Sequence, residues 1–372
     1  MARILFLSSH YGIGAAENLW LETAANLVRS GHEVRATVCW LKWDPKRIEE
    51  LSGLGVSVMR IPLHWSFKRW ARPFLKPGQA ERLLVKQWAS WKPDHVLVSQ
   101  GNDHSCVTWL EALQEAGLST SVVTHGIIPS DWPKDALSDR LRPVFIKSAR
   151  TFWVAERNRT DFENQIGTVL KNAAVVRNPV KVNREAAFVW PQSHSPLRMA
   201  CVARMQTRPK GHDLLLEAFA DPVWRTRDLH LSFFGEGENR RGMERLAQKL
   251  GISSRVQFHG HVNVVEDIWK DHHLIAQPSR NEGMPLSLVE ALVCGRPALV
   301  TDIAGHAELI TEGENGFIAE AATAKHIGEA LERAWNQRDQ WEAMGHAAHA
   351  RIRQDVPEDP AADFARQILS LT

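Results

Sequence analysis

Cysteine is scarce, four in 372 residues, and the four are scattered. Cys39, Cys106, Cys201 and Cys294 form no C-x-x-C and no Cys/His pair, which argues against a disulfide framework and a zinc site and fits a reducing compartment. Long apolar runs are missing as well. The run Ile4-Leu5-Phe6-Leu7 is too short for a signal-peptide core or a membrane span and reads as a first strand, and no later segment reaches spanning length. Neither a solenoid-period repeat nor a low-complexity tract is present.

Charge is nearly balanced at a formal net +2, but it is unevenly placed. Residues 1–190 hold 25 Lys+Arg against 18 Asp+Glu, and the rest of the chain reverses the sign. A basic front half suits an anionic partner. No nucleic-acid motif accompanies it, so nucleic acid is not expected.

The length favours two domains of ordinary size. Apolar runs of strand length alternate with helix-period segments, the pattern of parallel sheets flanked by helices, so the fold class is α/β. Strands are expected near Ile4–Leu7, Glu33–Val38, Val56–Ile61, Val96–Val98, Ser121–Thr124, Thr151–Ala155 and Ala174–Val176. Trp20, Ala24, Leu27 and Val28 share one face of a helix that Gly31 ends. The stretch Trp190-Pro-Gln-Ser-His-Ser-Pro196 reads as a boundary. It separates an N-terminal domain, 1–190, from a second domain, 196–356, with strands at Leu197–Val202, Leu229–Phe234, Val256–Phe258, Leu274–Ala276 and Ala298–Val300. Residues 357–372 form a closing helix.

Three stretches carry chemistry. In Pro278-Ser-Arg-Asn-Glu-Gly-Met-Pro-Leu-Ser-Leu-Val-Glu-Ala-Leu, Glu282 and Glu290 are separated by seven residues. Gly283 permits a tight turn, Pro285 suits a first helical turn, and the exposed N–H groups of that turn make an anion site at a sheet edge. The two carboxylates suit hydroxyl groups rather than phosphate. In Val202-Ala-Arg-Met-Gln-Thr-Arg-Pro-Lys-Gly-His-Asp, Arg204 and Lys210 flank a loop where fixed cations neutralise a diphosphate, with Arg208 between them. In the first domain, Gly12-Ile-Gly-Ala-Ala-Glu17 fails as a dinucleotide fingerprint because Glu17 replaces its third glycine.

The Glu, seven residues, Glu pattern resembles that of the retaining family 4 glycosyltransferases, and the other motifs resemble that family in the same order. Phe234-Gly-Glu-Gly237 is similar to its glycine turn, and Phe258-His-Gly-His-Val262 to the turn whose backbone reads the base. The resemblance implies a GT-B architecture, two Rossmann-like domains facing across a cleft, with the closing helix returning to the first. It implies that Glu282 contacts the donor sugar and Glu290 the ribose. Gly14, Gly235, His261, Val262, Gly283, Met284, Pro285, Leu286 and Ser287 surround the donor, and Arg204 and Lys210 hold the diphosphate. His125, after a strand, resembles the histidine presented to the donor sugar. His10, Asn102, Asp103 and His104 are acceptor-side candidates at other strand ends.

The function so implied is transfer of a sugar from a nucleotide-diphosphate sugar, with uridine or guanosine ranked ahead of adenosine, to a glycan, lipid-linked or small-molecule hydroxyl in bacterial polysaccharide or glycoconjugate synthesis. No Asp-x-Asp occurs, and neither a metal nor a resident cofactor is expected. Rival readings are a GT-B epimerase or hydrolase and a non-catalytic GT-B subunit. Residues 64–92 hold seven Lys+Arg and one acid, Glu81, among six Trp and Phe. That composition suggests peripheral contact with an anionic membrane by a cytoplasmic enzyme.

Overall fold

The computed structural model describes residues 1–9, 15–39, 45–61, 78–184, 189–192 and 196–372. Seven strands form the first sheet: β1 Arg3–Ser8, β2 Glu33–Cys39, β3 Ser57–Ile61, β4 His95–Gln100, β5 Thr120–Thr124, β6 Arg150–Trp153 and β7 Ala173–Val175. They lie in the order β3-β2-β1-β4-β5-β6-β7, all parallel, with Ile4 level with Val34 on one side and His95 on the other. Central strands of a parallel sheet are covered on both faces, which is why Ile4 to Leu7 read as an unbroken apolar run rather than an alternating one. Helix Ala15–Arg29 covers one face with Leu19, Trp20, Ala24 and Leu27, and Trp20 stacks on Phe6 at 5.8 Å between ring centres. Gly31, at φ 82, and the bonds from Gly31 N–H to Val28 O and from His32 N–H to Leu27 O close that helix.

The second sheet holds β8 Leu197–Val202, β9 Leu229–Phe234, β10 Val256–Gly260, β11 Leu274–Gln277, β12 Ala298–Thr301 and β13 Gly316–Ala319, in the order β10-β9-β8-β11-β12-β13. Its core joins Leu231 and Phe233 to Leu215 and Phe219 of helix His212–Phe219 and to Ile327 and Leu331 of helix Ala324–Asn336.

The chain divides into two compact units, Met1–Pro179 with Asp359–Thr372, and Val180–Glu358. This division falls earlier than the proline-flanked stretch at 190–196. The reason is packing: Trp190 stands edge-on to His273 at 5.6 Å, Arg296 lies over the Trp190 ring, and Arg296 also donates to Val189 O at 2.6 Å. Helix Pro360–Leu369 packs in the first unit through Phe364, edge-on to Phe152 at 4.8 Å, while Thr23 Oγ1 donates to Ala361 O at 3.2 Å.

In the expected membrane segment, residues 64–77 lie outside the described residues. Trp88 and Trp91, counted there as interfacial aromatics, are used by the fold. Trp88 is buried and stacked on Trp109, whereas Trp91 donates to Glu33 and carries the Arg35 guanidinium over its face. Arg82 forms a bidentate pair with Glu115. Among the described residues no helix is long and apolar enough to cross a membrane.

Candidate active site

Parallel strands deliver their following loops to one edge of a sheet, and ligands gather there where the strand order reverses. In the second sheet that reversal lies between β8 and β11. The segment after β8 carries Arg204 and Lys210, the segment after β11 carries Glu282, and the turns after β9 and β10 carry Gly235 and His261-Val262.

The loops after β8 and β11 are locked together. Gly211, at φ 65, passes so close to Pro278 that a Cβ there would stand 2.0 Å from its carbonyl oxygen. Pro209 O accepts from the N–H groups of Arg280 (2.7 Å) and Asn281 (3.1 Å). The Arg280 guanidinium lies bidentate on Asp213, at 2.9 and 2.7 Å, and reaches Thr207 O. This clamp sets Lys210 Nζ 2.6 Å from Glu282 Oε1, which also accepts from Ser279 Oγ at 2.8 Å. The Glu282 side chain is only 8% exposed and that of Lys210 20%. Burial alone would lift the Glu282 carboxyl, yet the charge of Lys210, the His306 ring and the bonds from Lys210 and Ser279 outweigh it and hold the group below its ordinary pKa. His306 is fully buried and donates through Nδ1 to Thr301 O at 3.0 Å.

Beyond Glu282 the chain turns through Gly283 and the buried Met284 into helix Leu286–Val293. Pro285 occupies its N-cap, and no side chain caps the first-turn N–H groups, of which those of Leu288 and Val289 bond to Pro285 O. Leu286 and Ser287 are half-buried there, and Gln277 donates to the Ser287 hydroxyl. Glu290, one turn on, is buried, and the residue facing it is Lys181. The glycine turn has a supporting part: a Cβ on Gly235 would stand 2.1 Å from Ala203 O, and one on Gly237 2.5 Å from Met205 O, so these glycines seat the backbone around the exposed Arg204. Arg208 and His261 are exposed and Val262 is half-buried.

In the first unit, His125 follows β5, with its backbone N–H bonded to Gln100 O at 3.1 Å; the residue is half-buried and both ring nitrogens are buried. Asn102 and Asp103 are exposed on the loop after β4, and His104 is buried in left-handed backbone, φ 53. Gly14 and His10 lie outside the described residues. Among the described residues no group of three or more His, Cys, Asp and Glu is placed to hold a metal ion.

The profile of the family described as glycosyl transferases group 1 matches residues 182–351. Over 95% of its length the chain is 32% identical to the lipopolysaccharide glucosyltransferase WaaG of Escherichia coli K12, covering 96% of that protein. The chain belongs to the group 1 glycosyltransferases. A shorter similarity, 29% identity over 136 residues, links it to the putative glycosyltransferase EpsD of Bacillus subtilis, covering 37% of this chain and 36% of that one. The GT-B fold is shared along the whole length with solved structures. HepE of Anabaena in complex with UDP superposes with a TM-score of 0.74 at 18% identity, over 99% of this chain and 98% of that one. The lipopolysaccharide outer core galactosyltransferase WaaB superposes with a TM-score of 0.75 at 19% identity over the full length of both.

Within this glycosyltransferase, the residues that the sequence motifs did not single out are those of the clamp: Ser279, Arg280, Asp213, Gly211 and His306. Only Gly211 carried a signal, as the glycine after Lys210. Lys181 was missed too, and it bears on Glu290. Burial, opposed only in part by the backbone N–H and the charge of Lys181, raises the Glu290 carboxyl from 4.5 to about 7. Because the unfolded chain releases this proton near pH 4.5 and the folded chain near 7, ionisation opposes folding as pH rises between the two. The opposition then stays constant above 7, at about 3 kcal/mol as an upper figure. Glu290→Gln keeps an acceptor for the Lys181 N–H and never ionises. Calorimetry is expected to show this variant melting above wild type at pH 8 and level with it at pH 4.5. An equal offset at both pH values would contradict the buried-carboxyl account.

Proposed function

We propose that this glycosyltransferase takes its sugar from a nucleotide-diphosphate sugar and transfers it with retention of anomeric configuration and without a metal ion. The observation that carries the reading is the Lys210–Glu282–Ser279 cluster beside the uncapped start of helix Leu286–Val293, at the point where the strand order of the second sheet reverses. The roles are complementary. Lys210, with Arg204 and the helix N–H groups, stabilises the diphosphate as negative charge develops on it, a task a bound cation performs elsewhere. Glu282 accepts hydroxyls of the sugar, and Glu290 those of the ribose. The bond from the anomeric carbon to the diphosphate breaks, the bond to the acceptor oxygen forms, and the departing phosphate oxygen takes the acceptor's proton. No side chain then has to act as general base.

Support for a uridine donor comes from HepE, solved with UDP-glucose, and guanosine ranks next, ahead of adenosine. Support for a saccharide acceptor in bacterial polysaccharide or glycoconjugate synthesis comes from WaaG, whose name specifies lipopolysaccharide. We place the enzyme in the cytoplasm, with a peripheral contact to an anionic membrane that the basic and aromatic composition of residues 64–92 suits.

A thermal-shift series with UDP-glucose, UDP-galactose, GDP-mannose and ADP-glucose tests the donor. The matched one at about 100-fold its Kd is expected to add about 2.7 kcal/mol to stability. Transfer from that donor is expected to be unchanged in EDTA. Loss of transfer in EDTA with recovery in manganese or magnesium would sink the fixed-cation account.

A further inference from the structure

Among the exposed large hydrophobic side chains of the described residues there is one aromatic, Trp132, 62% exposed. It lies in the loop that also carries His125, between β5 and helix Asp135–Lys147. An indole left in water forgoes the burial that usually stabilises it, and this loop is not free to turn it inward. Ile127 and Pro133 on either side are buried. The Asp131 N–H closes a turn on Ile128 O at 3.0 Å, and the buried Gln165 amide donates to the carbonyls of Ile128 (3.0 Å) and Asp131 (3.5 Å). The backbone beside Trp132 is held while its ring faces solvent.

Its surroundings are polar and incompletely satisfied. His104, on the loop after β4, is 8% exposed, and its Nδ1 has no hydrogen-bond partner among the described residues. β4 and β5 pair in parallel with Gln100 level with Thr124, and the His125 N–H bonds to Gln100 O at 3.1 Å, so the loops that follow these strands stand side by side. His104 also keeps left-handed backbone, a strain that functional sites tend to retain. Asn102, Asp103 and Asp131 are exposed.

We propose that Trp132 is a stacking platform for a sugar ring of the acceptor, with Asp131, Asp103 and Asn102 taking the hydroxyls at its rim. A pyranose has an apolar C–H face bordered by hydroxyl donors. A flat indole matches the face, and carboxylates and an amide match the rim. An anionic lipid or a phosphate would be repelled by those carboxylates, so the carbohydrate portion of the acceptor is what this surface recognises. The inference rests on the transferase reading and names what its acceptor presents.

The enzyme labelled with 5-fluorotryptophan, with the Trp132 resonance assigned by its loss in Trp132→Phe, is titrated with the lipid-free core oligosaccharide of lipopolysaccharide in the presence of UDP. A saturable shift of that resonance is expected, and its absence overturns the proposal. In the kinetic arm, with UDP-glucose and lipopolysaccharide stripped of its outer sugars, Trp132→Ala is expected to raise the acceptor KM about tenfold, as loss of a tryptophan anchor does. Donor KM and acceptor-free hydrolysis of UDP-glucose stay unchanged, and Trp132→Phe recovers most of the loss. An unchanged acceptor KM, or an equal rise in donor KM, removes the platform while leaving the transferase intact. A saturable shift in a protein that moves no sugar to any acceptor keeps the platform and removes the transferase reading.

Discussion

Lys210→Ala is expected to lower kcat at saturating donor by about 100- to 1000-fold, the loss seen when one fixed donor is removed from a developing oxyanion. The side chain is already oriented: one of its three ammonium hydrogens points at Glu282, 2.6 Å away, in a largely buried pair. Charge that needs no reorientation when the leaving group forms acts on the transition state more than on the bound donor, so donor KM should move far less than kcat. The same substitution strands the Glu282 carboxylate, and breaking such a pair costs about 3 kcal/mol, the lower end of the usual range because Lys210 keeps some contact with water. The two effects separate in the double variant Lys210→Ala/Glu282→Gln, read for turnover against Glu282→Gln alone. It carries no stranded charge and is expected to regain the melting temperature, not the turnover. A double variant that regained both would show that Lys210 serves the fold alone.

Gly211→Ala is expected to damage the second unit's site severely. Two costs add. The residue sits at φ 65, where a side chain is strained, and its Cβ would press on the Pro278 carbonyl from 2.0 Å, a backbone atom that cannot swing aside. Relief requires the loop 278–282 to move off the loop 206–211, which breaks the contact that aligns Lys210 with Glu282. A loss of stability of about 3 kcal/mol or more is expected, with turnover falling in the residual folded protein. Gly31→Ala is the control. Its φ of 82 carries the strain, but nothing lies within 4 Å of the added methyl, so about 1 kcal/mol should be lost. Equal melting-temperature changes in the two variants would show that close approach to Pro278 contributes nothing.

Twelve of the strands could be read from apolar runs, because parallel strands covered on both faces need continuous apolar sequence. The strand that was missed, Gly316–Ala319, has four residues and opens on a glycine that sequence reading treats as a turn signal. In the fold that glycine is there because a Cβ would stand 2.4 Å from Ala298 O. Where the chain divides likewise depends on contacts that no local pattern carries. Pro191 and Pro196 do mark irregular chain, but whether Trp190 belongs before or after the boundary depends on His273 and Arg296, some 80 to 110 residues away. At the site, Glu282 and Lys210 could each be named from local pattern. Their pairing across 72 residues could not, nor could the clamp of Arg280 on Asp213. Polar loop residues look alike in sequence whether they meet water or one another.

The helix Pro360–Leu369 belongs to the first unit although the whole of the second unit precedes it in the chain. During synthesis, the first sheet therefore leaves the ribosome without the Phe364, Ala365 and Ile368 that cover part of it. At 5–20 residues per second the intervening unit takes roughly 10 to 40 s to appear. For that interval Phe152 and its neighbours lack the helix that seals them, so the first unit to begin folding is the last to be completed.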